Sequence, residues 1–173
     1  TKYASFFHLR SIVLYFGRKV NFLYCSEKIC YNKIMKIFLI CSKRFYPDLP
    51  PVRKALERAG HTVVLPNSYD APETESRLRG TPGHAAWKAK MIRRSEAVIG
   101  ESDAVLVVNN EKDGAKGYVG GATFLEIYDA FRLGKKIFFL NPLPAGMLRD
   151  ELIGFSPVIL NGDLSKVTDP ALS

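Results

Sequence analysis

The chain has 173 residues, enough for one compact domain with a short appendage. It is 47% hydrophobic and 24% charged, which excludes both a disordered chain and a set of membrane spans. Its formal charge is +8, but +5 of that falls on residues 1–34, so no domain-wide basic footprint for nucleic acid is present. Three Cys cannot build a disulfide scaffold, and a reducing, cytoplasmic setting is expected.

Residues 1–34 read differently from the rest. They carry Lys2, Arg10, Arg18, Lys19, Lys28 and Lys33 against one acid, Glu27, and they are rich in Phe and Tyr. Their longest apolar run, Ile12 to Phe16, is too short to span a membrane, and no small-residue cleavage site follows an apolar core. The Arg-containing, acid-poor composition is shared by organellar presequences. A plain helix or hairpin packed on the domain fits as well. Met35 is followed at once by an apolar strand, so an N-terminal extension over 1–34 and one domain over 35–173 are expected. Cys25 and Cys30 lack partners at zinc spacing, and no metal or other cofactor is expected.

From Lys36 to Cys41 the run is continuously apolar, as in a strand buried on both faces. Pro47 to Ala59 places Leu49, Val52, Leu56 and Ala59 at helical spacing, and Gly60 closes it. His61 to Leu65 is a second strand, with His61 structural. Asn67 to Gly83 is polar and rich in Pro and Gly, a long loop or lid. His84 to Gly100 is a helix expected to turn Trp87, Met91, Ala97 and Val98 to the sheet, with Lys88, Lys90, Arg93 and Arg94 as a solvated face. Asp103 to Val108 is a third strand, Asn109 to Gly121 a glycine-rich loop, and Ala122 to Leu133 a helix. Lys136 to Leu140 is a fourth strand. A turn, a short helix over Met147 to Ile153 and a last strand over Pro157 to Leu160 follow. This alternation predicts an α/β fold, a doubly wound, Rossmann or flavodoxin-like sheet of five parallel strands in the order 2-1-3-4-5. The ligand crevice is then expected where the first and third strands end. Two loops meet there, Ser42-Lys43-Arg44-Phe45-Tyr46 and Asn109 to Gly121.

The densest cluster of chemistry is Gly117-Tyr118-Val119-Gly120-Gly121-Ala122-Thr123-Phe124-Leu125-Glu126. Gly120 and Gly121 allow close backbone approach and positive φ. The helix start at Ala122 offers free N–H groups and partial positive charge to a phosphate or hydroxyl. Thr123 can cap the helix or touch the ligand. Glu126 lies one turn inside, where its carboxylate could face the crevice. The same spacing fits a bland reading. Glu126, Asp129 and Arg132 would then form a solvated stripe, with Phe124, Ile127 and Phe131 buried.

Met35 to Asp163 resembles the nucleoside 2-deoxyribosyltransferase-like superfamily. The resemblance rests on Asp103-Ala104-Val105-Leu106-Val107-Val108, the glycine loop, Glu126-Ile127-Tyr128-Asp129-Ala130, and Leu133-Gly134-Lys135-Lys136-Ile137. Gly120-Gly121 with Thr123-x-x-Glu126 is also similar to the signature of the "lonely guy" phosphoribohydrolases, whose spacing is one residue longer. Both resemblances imply cleavage of an N-glycosidic bond in a nucleoside or nucleotide, and the first implies Glu126 as nucleophile. They further imply substrate contacts from Ser42, Lys43, Arg44, Phe45, Ser95, Asn109, Tyr118, Gly120, Gly121 and Thr123. Phe45 would pack on the base, and Lys43 and Arg44 would favour an anionic group such as a 5′-phosphate. A homo-oligomer that shares its sites between subunits is implied as well. Two family acids are replaced here, by Gly120 and by Ser95. Glu96, Asp113, Tyr118 and His84 are candidates for the general acid. The alternative is a module of the same fold that binds a nucleotide or nucleotide sugar without turnover. No nucleic acid or membrane partner is expected.

Overall fold

The structure is a computed structural model that describes residues 20–23 and 30–168. Most of the expected extension, 1–19 and 24–29, lies outside these residues. Two short strands, β1 (Val20–Leu23) and β2 (Cys30–Lys33), pair antiparallel in a sheet of their own.

The main sheet is built from β3 (Lys36–Ile40), β4 (Thr62–Val64), β5 (Ala104–Val107), β6 (Lys136–Phe139) and β7 (Val158–Ile159). All its pairings are parallel, and the order is β4-β3-β5-β6-β7. This is the doubly wound 2-1-3-4-5 arrangement expected from the chain order. β3 and β5 are buried along almost their whole length, which is why they read as unbroken apolar runs.

Their alternate side chains feed two cores. Ile37, Leu39, Leu106 and Phe138 pack with Leu49, Val52 and Leu56 of α1 (Leu49–Arg58) on one face. Phe38, Ile40, Val105, Val107 and Phe139 pack on the other with Ile99 of α3 (Gly83–Gly100), Ile127 and Ala130 of α4 (Gly121–Arg132), and Leu152 of α5 (Arg149–Gly154). Each such fully buried aliphatic side chain contributes about 2 kcal/mol of transfer free energy. Met35, which is 1% exposed, belongs to the first of these cores.

Several local expectations change. The first loop is a 3-10 turn, Lys43–Asp48, and the α-helix starts at Leu49, where prolines occupy its first turn. The long loop contains a short helix, α2 (Thr74–Leu78). Along α3 it is Ser95 and Ile99 that are buried, while Ala97 faces solvent. On α4 the buried residues are Thr123, Ile127 and Ala130. Phe131 is 47% exposed because it leans on Phe155 beyond α5, ring centroids 4.9 Å apart, instead of reaching the sheet. His61 is buried as expected. Its Nδ1 accepts a hydrogen bond from the Met35 N–H at 3.2 Å, tying the start of β3 to that of β4.

Candidate active site

A cavity of about 470 Å³ opens at the carboxyl ends of β3, β4 and β5. Cys41, Ser42, Lys43 and Tyr46 reach it from the turn after β3, and Pro66, Asn67 and Ser68 from the segment after β4. Tyr118, Gly120, Gly121 and Thr123 come from the loop after β5 and the first turn of α4. Over the opening lie Glu75 of α2 and Trp87, Lys88 and Met91 of α3. The polar 67–83 stretch therefore does border the crevice, as a lid with its own helical turn.

Glu126 points into this cavity. Ser95 Oγ donates a hydrogen bond to its Oε1 at 2.7 Å, and Asn67 Nδ2 donates to the same Ser95 Oγ at 2.8 Å. The solvated-stripe reading thus fails for Glu126 and for Asp129, which also lines the cavity. It holds for Arg132, which is half-exposed and paired with Glu96 at 3.1 Å. Burial raises the Glu126 carboxyl to about 7. The Ser95 bond and Lys88 oppose that rise, and Asp129 adds to it. Burial, with Glu126 and Asp48 adding to it, pushes the Cys41 thiol up to about 12, so it stays protonated at neutral pH. Tyr46 is also pushed up to about 12, chiefly by burial, and shares a 2.8 Å hydrogen bond with Ser68.

The basic residues of the first loop are occupied. Lys43 pairs with Glu75 at 3.0 Å, and Lys88 pairs with the same carboxylate at 2.8 Å. These bonds hold the Glu75 carboxyl down at about 2 against an upward push from burial. Lys88 was expected on a solvated face, and Glu75 draws it to the cavity mouth. His84 lies 3.9 Å from Glu75 and is outside the lining.

Three of the expected ligand contacts are not brought to the cavity. Arg44 is exposed and bridges to Asp113 at 3.0 Å. Phe45 is buried at 3% exposure and meets the edge of the Tyr118 ring. Asn109 is fully buried, where its side chain bonds the Asn141 and Pro142 carbonyls and the Asn141 N–H. It clamps the loop after β5 to the loop after β6. Ser42, Lys43, Ser95, Tyr118, Gly120, Gly121, Thr123 and Glu126 do share the cavity.

Gly120 has φ −85, and Gly121 is not among the positive-φ glycines. The left-handed glycines of this loop are Gly114 and Gly117. No side chain caps α4, and its glycine-rich start lies open to the cavity. Of the general-acid candidates only Tyr118 lines the cavity; Glu96 and Asp113 are held in outward ion pairs. Lys112 Nζ donates to the Tyr118 hydroxyl oxygen at 3.2 Å, which leaves the phenolic hydrogen free to donate elsewhere. Sequence reasoning passed over Asn67 and Glu75. Nothing in their spacing signals a role, because they reach the site only through tertiary packing. Among the described residues no group of metal-ligating side chains exists, and no helix is long and apolar enough to cross a membrane.

No family model and no curated protein sequence matches the chain. Among solved structures, the chain is similar to a 2-deoxyribosyltransferase from the psychrotolerant bacterium Bacillus psychrosaccharolyticus. The TM-score is 0.54 at 18% identity, over 79% of this chain and 93% of that one. This likeness shows that the chain has a nucleoside 2-deoxyribosyltransferase-like fold, here with a parallel sheet in the order β4-β3-β5-β6-β7.

Proposed function

We propose that the protein cleaves the N-glycosidic bond of a nucleoside, with Glu126 as nucleophile. The observation that carries this reading is the Glu126 carboxylate, hydrogen-bonded by Ser95 and turned into a cavity of about 470 Å³, a size suited to a nucleoside. The activity of the structural neighbour adds to it. A Glu126 oxygen bonds to the anomeric carbon as the bond from that carbon to the base nitrogen breaks. The bonding electrons leave with the base, which takes a proton from the Tyr118 hydroxyl. Water, or the nitrogen of a second base, then attacks the same carbon. The carbon–Glu126 bond breaks, and the acceptor's proton returns to Tyr118. Positive charge develops on the sugar in both steps, and the carboxylate beside it stabilises that charge.

Lys43 is bound to Glu75 and Arg44 to Asp113. With both loop cations already paired, an uncharged nucleoside suits the site better than a 5′-phosphate. A second copy of the chain is a further element of the proposal. Leu125 and Tyr128, both 44% exposed, carry the apolar cavity rim outward along α4 toward Phe131.

The test is incubation with a panel of nucleosides, with and without a free base, read as base released or exchanged. Release without an acceptor base marks hydrolysis, and exchange marks transfer. Glu126→Gln should lower kcat about 10³-fold or more. Base release by that variant at the wild-type rate would remove Glu126 from the reaction. Saturable binding with no turnover in the wild type would mark a binding module.

A further inference from the structure

We propose that Asn67 and Ser95 form a relay of positioning residues that aims the Glu126 carboxylate and sets the pH at which it becomes active. The proposal rests on the nucleophile reading above.

Ser95 interrupts the buried face of α3. Met91, Ser95 and Ile99 stand at successive intervals of four residues, and Ser95 is only 6% exposed. A buried serine in such a stripe would ordinarily turn its hydroxyl back to the carbonyl four residues earlier, here that of Met91. Asn67 changes this. Pro66 ends the β4 segment, and the Asn67 side chain then crosses to α3. Its Nδ2 donates to Ser95 Oγ at 2.8 Å and approaches the Met91 carbonyl at 3.5 Å. A serine hydroxyl has one hydrogen to give. With Asn67 donating to Oγ, that hydrogen is directed to Glu126 Oε1 at 2.7 Å. The relay thus links the segment after β4, α3 and α4.

Two consequences follow for the carboxylate. One oxygen is held by Ser95, so the other is the one presented to the cavity. The Ser95 bond also favours the ionised form, against the burial that disfavours it. The other charged and titratable groups around Glu126 are Lys88 on α3, Asp129 on its own helix, and Cys41 and Tyr46 from the end of β3 and the turn after it. Cys41 and Tyr46 stay neutral near pH 7. Lys88 is shared with Glu75. Ser95 makes the direct hydrogen bond to the carboxylate, and Asn67 is what orients it.

The test compares wild type with Ser95→Ala, Asn67→Ala and Ser95→Thr, all checked for native melting. Base release is followed against pH, and the Glu126 carboxyl carbon is titrated by NMR in protein carrying 13C-labelled glutamate, assigned with Glu126→Gln. In Ser95→Ala both the rising limb of kcat and the NMR titration should move up by about one pH unit, with KM changed less than twofold. Asn67→Ala should move them the same way by a smaller amount. Ser95→Thr, which keeps the hydroxyl, should restore both. Titrations that stay in place in Ser95→Ala and Asn67→Ala would overturn the relay, even with base release intact. A shifted NMR titration in a protein that releases no base would uphold the relay and overturn the glycosidic reading.

Discussion

Glu126, half-buried in the cavity wall, and the buried His61 drive stability in opposite directions as pH changes. The folded Glu126 carboxyl sits at about 7, above its ordinary 4.5. Its contribution is fully present below about pH 4.5 and lost as pH rises through about 7, because ionising it in the folded state is unfavourable. The full shift corresponds to at most about 3 kcal/mol. Glu126→Gln removes this cost while keeping an acceptor for Ser95. It should melt several degrees above wild type at about pH 8 and close to it at about pH 5. His61 is lowered from 6.5 by burial, so the unfolded chain takes up protons that the folded one refuses. Stability is lost as pH falls below about 6.5. The melting temperature of His61→Gln should therefore fall less steeply than that of wild type between about pH 7 and pH 5. Melting curves across pH for the two variants check both signs. Parallel curves for wild type and variant would refute either one.

At the scale of elements, the loop from β5 to α4 is shaped by its neighbours. Gly117 is buried at φ +67, and a side chain there would run into the Pro142 carbonyl oxygen. Gly117→Ala meets both the left-handed penalty and that backbone contact. It should lower stability by about 2–4 kcal/mol in a urea melt, and a loss under about 0.5 kcal/mol would show that the two loops separate easily. The glycine-rich run was legible as a special loop, but which glycines need positive φ was not. That depends on the loop after β6, some 25 residues downstream in sequence. Asn109 misled for the same reason. A polar residue at the end of a buried strand looks like a ligand contact until Asn141 is seen beside it.

For the whole molecule, the proposed pairing of two chains rests on the exposed apolar face around α4. Tyr128 and Phe131 lean on Phe155, and Ile153 beside them is 52% exposed. Sedimentation velocity should show a species heavier than one chain, and Tyr128→Glu with Phe131→Glu should return it to a single chain. A wild-type monomer at micromolar concentration would refute the pairing.

The order of apolar runs and glycine-terminated helices was enough to specify the parallel sheet, its strand order and the edge on which the cavity opens. Burial on both faces of a sheet requires continuous apolar strands, and right-handed crossovers leave few ways to wind them. Glu126 could be singled out from its place one turn inside a glycine-preceded helix. Whether it faced water or cavity could not, because a helix of this pattern has two plausible buried faces. Packing chose between them when Phe131 leaned on Phe155 after α5 and Ser95 of α3 met the carboxylate. The same packing assigned Lys43 to Glu75 and brought Asn67 to Ser95. Those pairings join residues 28 and 32 positions apart, a relation carried by the fold and not by any local pattern.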